Sequence, residues 1–206
     1  MSDARTEVLD RVARAISDGP SQPVVPRGYR RTGSLDREAR IAQFVERVGE
    51  YRADVRRVET AEIAESIGEV GARRLAVAPG VPAAWRPAGA ELVEDTGLTP
   101  AELDQVDGAL TGCTVAVAET GTIILTAQPH EGRRALTLVP DLHVCVVRES
   151  QIVELLPEAL EALRGSEARP ITLVSGPSAT SDIELSRVEG VHGPRNLVVL
   201  VVKEPA

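Results

Sequence analysis

The chain has 206 residues, of which 43% are hydrophobic, and its 23 Lys and Arg against 31 Asp and Glu give a formal charge of −8. This length and hydrophobic content predict a single main domain whose core needs neither metal nor disulfide support. The acidic balance and the 2% aromatic content exclude nucleic-acid binding, and charges interrupt every apolar run before it reaches the ~20 residues of a membrane span.

The N-terminal region is predicted to hold two helices. Apolar residues recur at helical spacing over residues 3–17, and a segment rich in proline and glycine follows over residues 19–33. A second helix is predicted to begin at Ser34 as N-cap and to run through Val48. We therefore expect residues 1–50 to form an N-terminal helical arm with a Pro/Gly-rich linker, and residues 51–206 to form the main domain. The N-terminus lacks the apolar centre of a signal peptide, so a cytoplasmic protein is expected.

From residue 54 onward, short apolar runs alternate with helical patterns. Strands are predicted at 54–58, 74–78, 90–94, 113–118, 122–126, 142–148, 171–175 and 197–202. Helices are predicted at 61–69, 100–106, 150–164 and 181–187, and Thr99 to Glu102 form a capping box. This alternation predicts an α/β fold, a three-layer sandwich around a largely parallel sheet.

The first polar segment covers residues 112–126. Two β-rich runs flank Glu119, Thr120 and Gly121, which predicts a hairpin or a tight kink with Gly121 at an unusual φ. Glu119 is a candidate catalytic base or nucleophile, and Thr120, Gly121 and Thr122 are candidate ligand-binding residues. The alternative is an ordinary turn in which Glu119 caps backbone amides.

The second polar segment follows the strand at 171–175. A strand, a loop of small residues and a helix form an arrangement that presents backbone amides to an anion. The candidate ligand-binding residues are Ser175, Gly176, Ser178, Thr180, Asp182 and Glu184. The alternative is an ordinary helix start in which Thr180 or Ser181 is the N-cap.

The third polar segment, residues 190–195, precedes the last strand. His192 is a candidate for acid–base chemistry, and Gly193 and Arg195 are candidates for holding an anionic group. The alternative for His192 is a surface or backbone-bonded histidine. His143, which opens a buried strand, is predicted to be structural, and His130, in a polar loop, is predicted to be solvated.

The sequence predicts no metal or cofactor in this chain. Cys113 and Cys145 are too few for an iron–sulfur or structural zinc site, and both are predicted to be core thiols. The alternative for Cys113 is a position close to the Glu119 site. With Lys203 as its one lysine, the chain has no P-loop.

Taken in order, four motifs closely resemble the LUD-domain family, lactate utilization protein C type. They are 118–122 (AETGT), 138–140 (LVP) with His143, 175–178 (SGPS) with Thr180 and 182–184 (DIE), and 190–194 (GVHGP). The resemblance is strong from about residue 110 onward, and residues 26–30 (PRGYR) also resemble the N-terminal region of that family.

The resemblance implies a Rossmann-like fold similar to the sugar-phosphate isomerase and CoA-transferase superfamily. It also implies a role in oxidising L-lactate to pyruvate beside a cysteine-rich subunit and an iron–sulfur subunit. The iron–sulfur relative joins a similar domain to a cysteine-rich, ferredoxin-like tail. This sequence lacks that tail, so we expect iron–sulfur clusters in the partner subunits and none in this chain.

Three functions are compatible with the sequence. The leading hypothesis is a non-redox component of a lactate-oxidising complex, whose crevice of Glu119–Thr122, Ser175–Glu184 and His192 binds a small anionic ligand. The second is a self-contained enzyme acting on a sugar phosphate or an acyl-CoA, with Glu119 as base or nucleophile. The third is a scaffold whose N-terminal arm, residues 1–50, docks a partner.

Overall fold

The computed structural model describes residues 4–17, 26–166, 169–177, 179–180, 188–189 and 193–204. Its helices are α1 (Ala4–Ser17), α2 (Arg37–Glu50), α3 (Ile63–Gly68), α4 (Pro100–Leu103) and α5 (Leu156–Ala162). The first six strands are β1 (Asp54–Val58), β2 (Arg74–Val77), β3 (Glu91–Glu94), β4 (Gly108–Thr111), β5 (Val115–Val117) and β6 (Thr122–Leu125). The others are β7 (Leu142–Arg148), β8 (Ile152–Val153), β9 (Thr172–Val174), β10 (Ala179–Thr180), β11 (Val188–Glu189) and β12 (Asn196–Val202).

The main sheet has six strands in the order β1-β12-β7-β4-β2-β3, and all of its pairs are parallel. The prediction of an α/β fold with a largely parallel sheet is therefore confirmed. Because all six strands are parallel, their C-terminal ends, including those of β2, β4 and β7, lie along the same side of the sheet, which we call the carboxyl edge. In open parallel sheets this edge is where ligands bind.

The central strands β7 and β12 are apolar on both faces because both faces are covered. In β12, Val198 and Leu200 pack into a core with α3 and α4, whereas Val199 and Val201 pack into a second core with α2. This alternation follows the two-residue period of a strand. The main sheet is thus the middle layer between α3 and α4 on one side and α2 with a smaller sheet on the other.

The smaller sheet has the strand order β8-β5-β6-β9. Its β5 and β6 form an antiparallel hairpin, as the sequence predicted, and α5 packs on its outer face through Ala159 and Leu163. Residues 150–164 were predicted to be one helix, and this prediction was wrong. Ile152 and Val153 instead pair with β5, and the helix begins only at Leu156, because strand pairing outweighs local helical spacing.

Three further details differ from the predictions. The N-cap of α2 is Asp36, not Ser34, because the Glu154 carboxylate binds the Ser34 amide and the side chain of Asp36 accepts from Ala39. Strand β4, at residues 108–111, was not predicted, although all four of its residues are buried. The predicted helix at 181–187 lies outside the described residues. The predicted capping box from Thr99 to Glu102 is present.

The two N-terminal helices differ in burial. In α2, the side chains of Ile41, Phe44 and Val48 are fully buried against the smaller sheet and the main sheet. Helix α1 has no buried residue. Helix α2 therefore packs in the core of the domain, although the sequence had placed it in the N-terminal arm of residues 1–50.

Candidate functional site

The structure brings two of the three predicted polar segments together. Thr122 begins β6, and its Oγ1 lies 2.8 Å from Oγ1 of Thr120 and 2.8 Å from Oγ of Ser175. Gly121 has a φ of 59°, as the turn prediction required. We call residues 119–122 with Ser175 and Gly176 the Glu119 turn. Its hydroxyl groups bind one another in a chain, so much of their hydrogen-bonding capacity is used within the turn.

The Glu119 turn is closely packed against neighbouring backbone and side chains. A Cβ on Gly121 would lie 2.9 Å from the carbonyl carbon of Arg47, and a Cβ on Gly176 would lie 2.4 Å from Cβ of Tyr51. The Glu119 carboxylate is 43% exposed and forms an ion pair with Arg30. These contacts join the hairpin, the end of α2 and the extended segment before α2.

The other predicted site residues do not join this turn through the described contacts. Arg195 lies just before β12, at the amino edge of the main sheet, and pairs with Asp141 at 3.6 Å. Gly193 is described with a φ of 120°. Ser178, Asp182, Glu184 and His192 lie outside the described residues, as does the side chain of Thr180.

His143 is structural, as predicted. It is buried in β7, and its Nε2 lies 2.8 Å from Oγ1 of Thr111. Burial lowers the pKa of His143 to about 4, because the imidazolium form is poorly solvated in the core. The ring is therefore neutral near physiological pH.

A separate pocket of about 160 Å³ lies at the carboxyl edge, beyond the ends of β2, β4 and β7. We call it the His130 pocket. The lining residues that bear on its chemistry are Gly80, Trp85, Gly112, Cys113, His130, Arg148 and Gln151. Its volume corresponds to roughly five water molecules, which is smaller than the roughly 300–1,000 Å³ of sites for drug-sized ligands.

The loop that carries His130 is attached to the ends of two strands by backbone hydrogen bonds. The amide of Gly80 donates to the carbonyl of Pro129 at 2.9 Å, and the amide of Gly112 donates to the carbonyl of His130 at 2.9 Å. Both positions require close approach, since a Cβ on Gly80 would lie 2.5 Å from the Pro129 carbonyl carbon. A Cβ on Gly112 would lie 2.4 Å from Cδ2 of His130.

A buried carboxylate holds the same loop from inside. Glu131 is 1% exposed and accepts from the amide of Thr126 at 2.6 Å and the amide of Gln128 at 2.9 Å. It also accepts from the hydroxyl of Thr114 at 2.6 Å. These three bonds satisfy a buried charge and fix the loop at Ala127, which has a φ of 55°.

A second buried carboxylate anchors the far end of the loop. Asp95 follows β3 and receives two hydrogen bonds from Arg133, at 2.8 and 2.9 Å. Burial of Asp95 opposes its charge. The bonds from Arg133 and from the amides of Leu98 and Gly97 nevertheless keep the pKa of its carboxyl group below the usual value. The His130 loop is thus fixed at both ends.

The polar groups of the pocket have different hydrogen-bonding states. The Gln151 amide donates to the carbonyl of Cys113 at 2.6 Å and accepts from the amide of Arg148 at 2.8 Å, so it is part of the pocket wall. His130 Nε2 lies 3.3 Å from the same carbonyl of Cys113 and 4.0 Å from Oε1 of Glu131. None of the ion pairs among the described residues uses the guanidinium of Arg148.

Cys113 lies in the pocket wall as a neutral thiol. A hydrogen bond with Cys145 and complete burial raise its pKa well above the usual value. A thiol in this state is a poor nucleophile at neutral pH. The chemistry of the pocket therefore depends on Arg148 and His130.

The sequence did not indicate this pocket, and His130, predicted to be solvated, is only partly so. The His130 side chain is 33% exposed and packs against Gly112. One signal was present in the sequence, since Gly80 and Gly112 each follow a buried strand closely, where a ligand or a second segment of backbone can approach.

The described residues give two further results. They contain no grouping of three or more His, Cys, Asp and Glu side chains that could hold a metal ion. None of their helices is both long enough and apolar enough to cross a lipid bilayer.

Comparison with known proteins gives three findings. A family model described as the LUD domain matches residues 84–202. A lactate utilization protein C of Deinococcus radiodurans is 47% identical over 98% of this chain and 96% of its own length. A lactate utilization protein C of Bacillus subtilis is 30% identical over 49% of this chain and 44% of its own length. The crystal structure of a DUF162 family protein from Deinococcus radiodurans matches with a TM-score of 0.74 and 45% identity, covering 82% of this chain and 99% of that one.

Proposed function

The chain belongs to the LUD-domain family, and we propose that it is a component of an L-lactate utilization system. One observation carries this proposal, the 47% identity to the Deinococcus radiodurans lactate utilization protein C along nearly the whole of both chains. The Bacillus subtilis relative of the same name supports it over about half of each chain.

We propose further that the system oxidises L-lactate to pyruvate and that this chain supplies no redox centre. The oxidation removes two electrons and two protons from lactate, so an acceptor is required. Cys113 and Cys145 are both buried free thiols in the core, which supports placing that acceptor outside this chain. The electrons would then pass to iron–sulfur clusters in the partners, a cysteine-rich subunit and an iron–sulfur subunit.

The contribution of this chain would be to bind a small anionic ligand of the system. The His130 pocket supports this role, because it lies at the carboxyl edge of a parallel sheet and contains an arginine without a carboxylate partner among the described residues. Its volume suits a small acid better than a nucleotide or an acyl-CoA.

Growth on L-lactate tests the proposed function. The gene is deleted from the organism that carries it, and growth is compared on L-lactate and on pyruvate. We expect growth on L-lactate to be lost, growth on pyruvate to persist, and both to be normal when the full chain is restored. Unimpaired growth of the deletion strain on L-lactate, with no second copy of the gene, would overturn the proposal.

A scaffold role is favoured by a separate observation on α1. Val8, Leu9, Val12 and Ile16 are each more than half exposed, although together they form the apolar face of an amphipathic helix. We propose that this face docks onto a partner subunit of the same system. Replacing the four residues with serine should abolish co-purification of the partners and leave the melting temperature unchanged, whereas retained co-purification would contradict the docking role.

A further inference from the structure

The His130 pocket has the features of a built site. Two glycine contacts, at Gly80 and Gly112, and one buried carboxylate, Glu131, hold the His130 loop over the ends of β2 and β4. The loop accepts a residue with positive φ, Ala127, to reach this position. Such a strained and multiply anchored loop is typical of segments that position functional groups.

The charge of the pocket favours an anion. Arg148 lines it from the end of β7, and none of the ion pairs between described residues satisfies its guanidinium. None of the residues that line the pocket is an Asp or a Glu, so no carboxylate of the lining neutralises this guanidinium. The guanidinium presents two parallel N–H donors, which match the two oxygens of a carboxylate.

The remaining wall favours a short ligand with an apolar end. Trp85 is buried to 93%, and its ring lies 3.4 Å from the position that a Cβ on Gly112 would take. Val146 and the neutral thiol of Cys113 add apolar surface. The volume of about 160 Å³ leaves room for a carboxylate, one further polar group and a methyl group.

We propose that the His130 pocket binds a short 2-hydroxy or 2-oxo monocarboxylate, with Arg148 holding the carboxylate and His130 facing the oxygen at carbon 2. Trp85 and Val146 contact the methyl end of the acid. This inference rests on the proposed function, because it names the ligand of the same lactate utilization system. It places the ligand at a different position from the Glu119 turn, where the sequence had predicted it.

Trp85 supplies a direct probe, since it is the one tryptophan of the chain and lines the pocket. The purified full chain is titrated with L-lactate, pyruvate and inorganic phosphate at up to millimolar concentrations, and tryptophan emission and the melting temperature are recorded. We expect one of the two acids to change the emission saturably, and phosphate to have little effect. Absence of binding by both acids, or binding of phosphate as tight as that of the acids, would overturn the proposal.

Variants locate the site. Arg148→Gln should weaken binding of the acid about tenfold or more. The matched control is Arg164→Gln, at an exposed arginine paired with Glu161 and outside the pocket, which should bind as the wild type does. Gly112→Ala should displace His130 and also weaken binding, whereas Gly49→Ala, at a helical glycine with free space around it, should not.

The results separate this inference from the proposed function. If Arg148→Gln and Gly112→Ala fold and bind the acid like the wild type, the pocket assignment is wrong, while the growth test on L-lactate still decides the proposed function. If the deletion strain grows normally on L-lactate, the proposed function fails, and the emission titration still shows whether the pocket holds the acid.

Discussion

The His130 pocket and the Glu119 turn both contain polar side chains next to buried strands, but their charged side chains differ in whether they form ion pairs. Beside the pocket, Glu131 is buried and accepts from two backbone amides and the Thr114 hydroxyl, and Arg148 in the pocket wall forms no ion pair among the described residues. In the turn, Glu119 is half exposed and is paired with Arg30. An arginine without an acidic partner, such as Arg148, can bind an anionic ligand. A carboxylate paired with an arginine of another segment, such as Glu119 with Arg30, joins the two segments.

The largest difference between the two regions should appear when each glutamate is truncated. Glu131→Ala leaves the buried amide of Thr126 and the partly buried amide of Gln128 without their acceptor and removes a bond from the Thr114 hydroxyl, so we expect it to lower the free energy of unfolding by about 3 kcal/mol. Glu119→Ala removes an exposed ion pair and should cost no more than ~1 kcal/mol. Urea unfolding of both variants measures these costs.

Glu131→Gln is the control for the loss of charge. Its amide keeps one oxygen for the two backbone amides, so most of the stability should return. Equal costs for Glu131→Ala and Glu119→Ala would show that the two regions do not differ in this way.

Acid should destabilise the sheet beneath the pocket through His143. Its pKa is about 4 in the folded protein and about 6.5 when unfolded, so between these values the unfolded chain binds a proton that the folded chain does not. Stability should therefore fall as the pH drops from about 6.5 to about 4, by about 3 kcal/mol in total.

Urea unfolding at a series of pH values measures this loss. The matched variant is His143→Gln, which cannot titrate and should lose less stability over the same interval. The buried carboxylate of Asp95 has a lowered pKa, so its contribution is lost only at still lower pH. A wild type and a His143→Gln variant with the same pH dependence would contradict the role of His143.

Alanine at the two close-packed glycines should separate stability from binding. Gly121 has a φ of 59°, and its Cβ would meet backbone atoms of Arg47 and Val48, so Gly121→Ala should cost about 1–3 kcal/mol. Gly112→Ala would meet the ring of His130, which can turn aside, so it should cost less stability and disturb Trp85 emission more. Urea unfolding and tryptophan emission measure the two effects. A larger stability cost for Gly112→Ala than for Gly121→Ala, with a smaller change in emission, would show that the pocket is the more rigid region.

The contrast also shows what a sequence can predict. The apolar runs of β7 and β12 and the turn at Gly121 are local patterns, and the structure confirms them. The His130 pocket depends on hydrogen bonds that join Gly80 to Pro129 and Gly112 to His130, which are far apart in the sequence. Residue order does not show such contacts, because they arise only when parallel strands bring their ends together.

The smallest effect is expected from Glu119→Gln. The variant keeps the shape of the side chain and weakens only an exposed pairing with Arg30, so the melting temperature and acid binding should be nearly unchanged. Growth of the complemented deletion strain on L-lactate should also be normal, since the ligand is assigned to the His130 pocket. A folded Glu119→Gln variant that binds the acid but does not support growth would instead indicate that Glu119 acts as base or nucleophile. The turn would then carry chemistry, and the ion pair with Arg30 would hold a reactive carboxylate in position instead of only joining two segments.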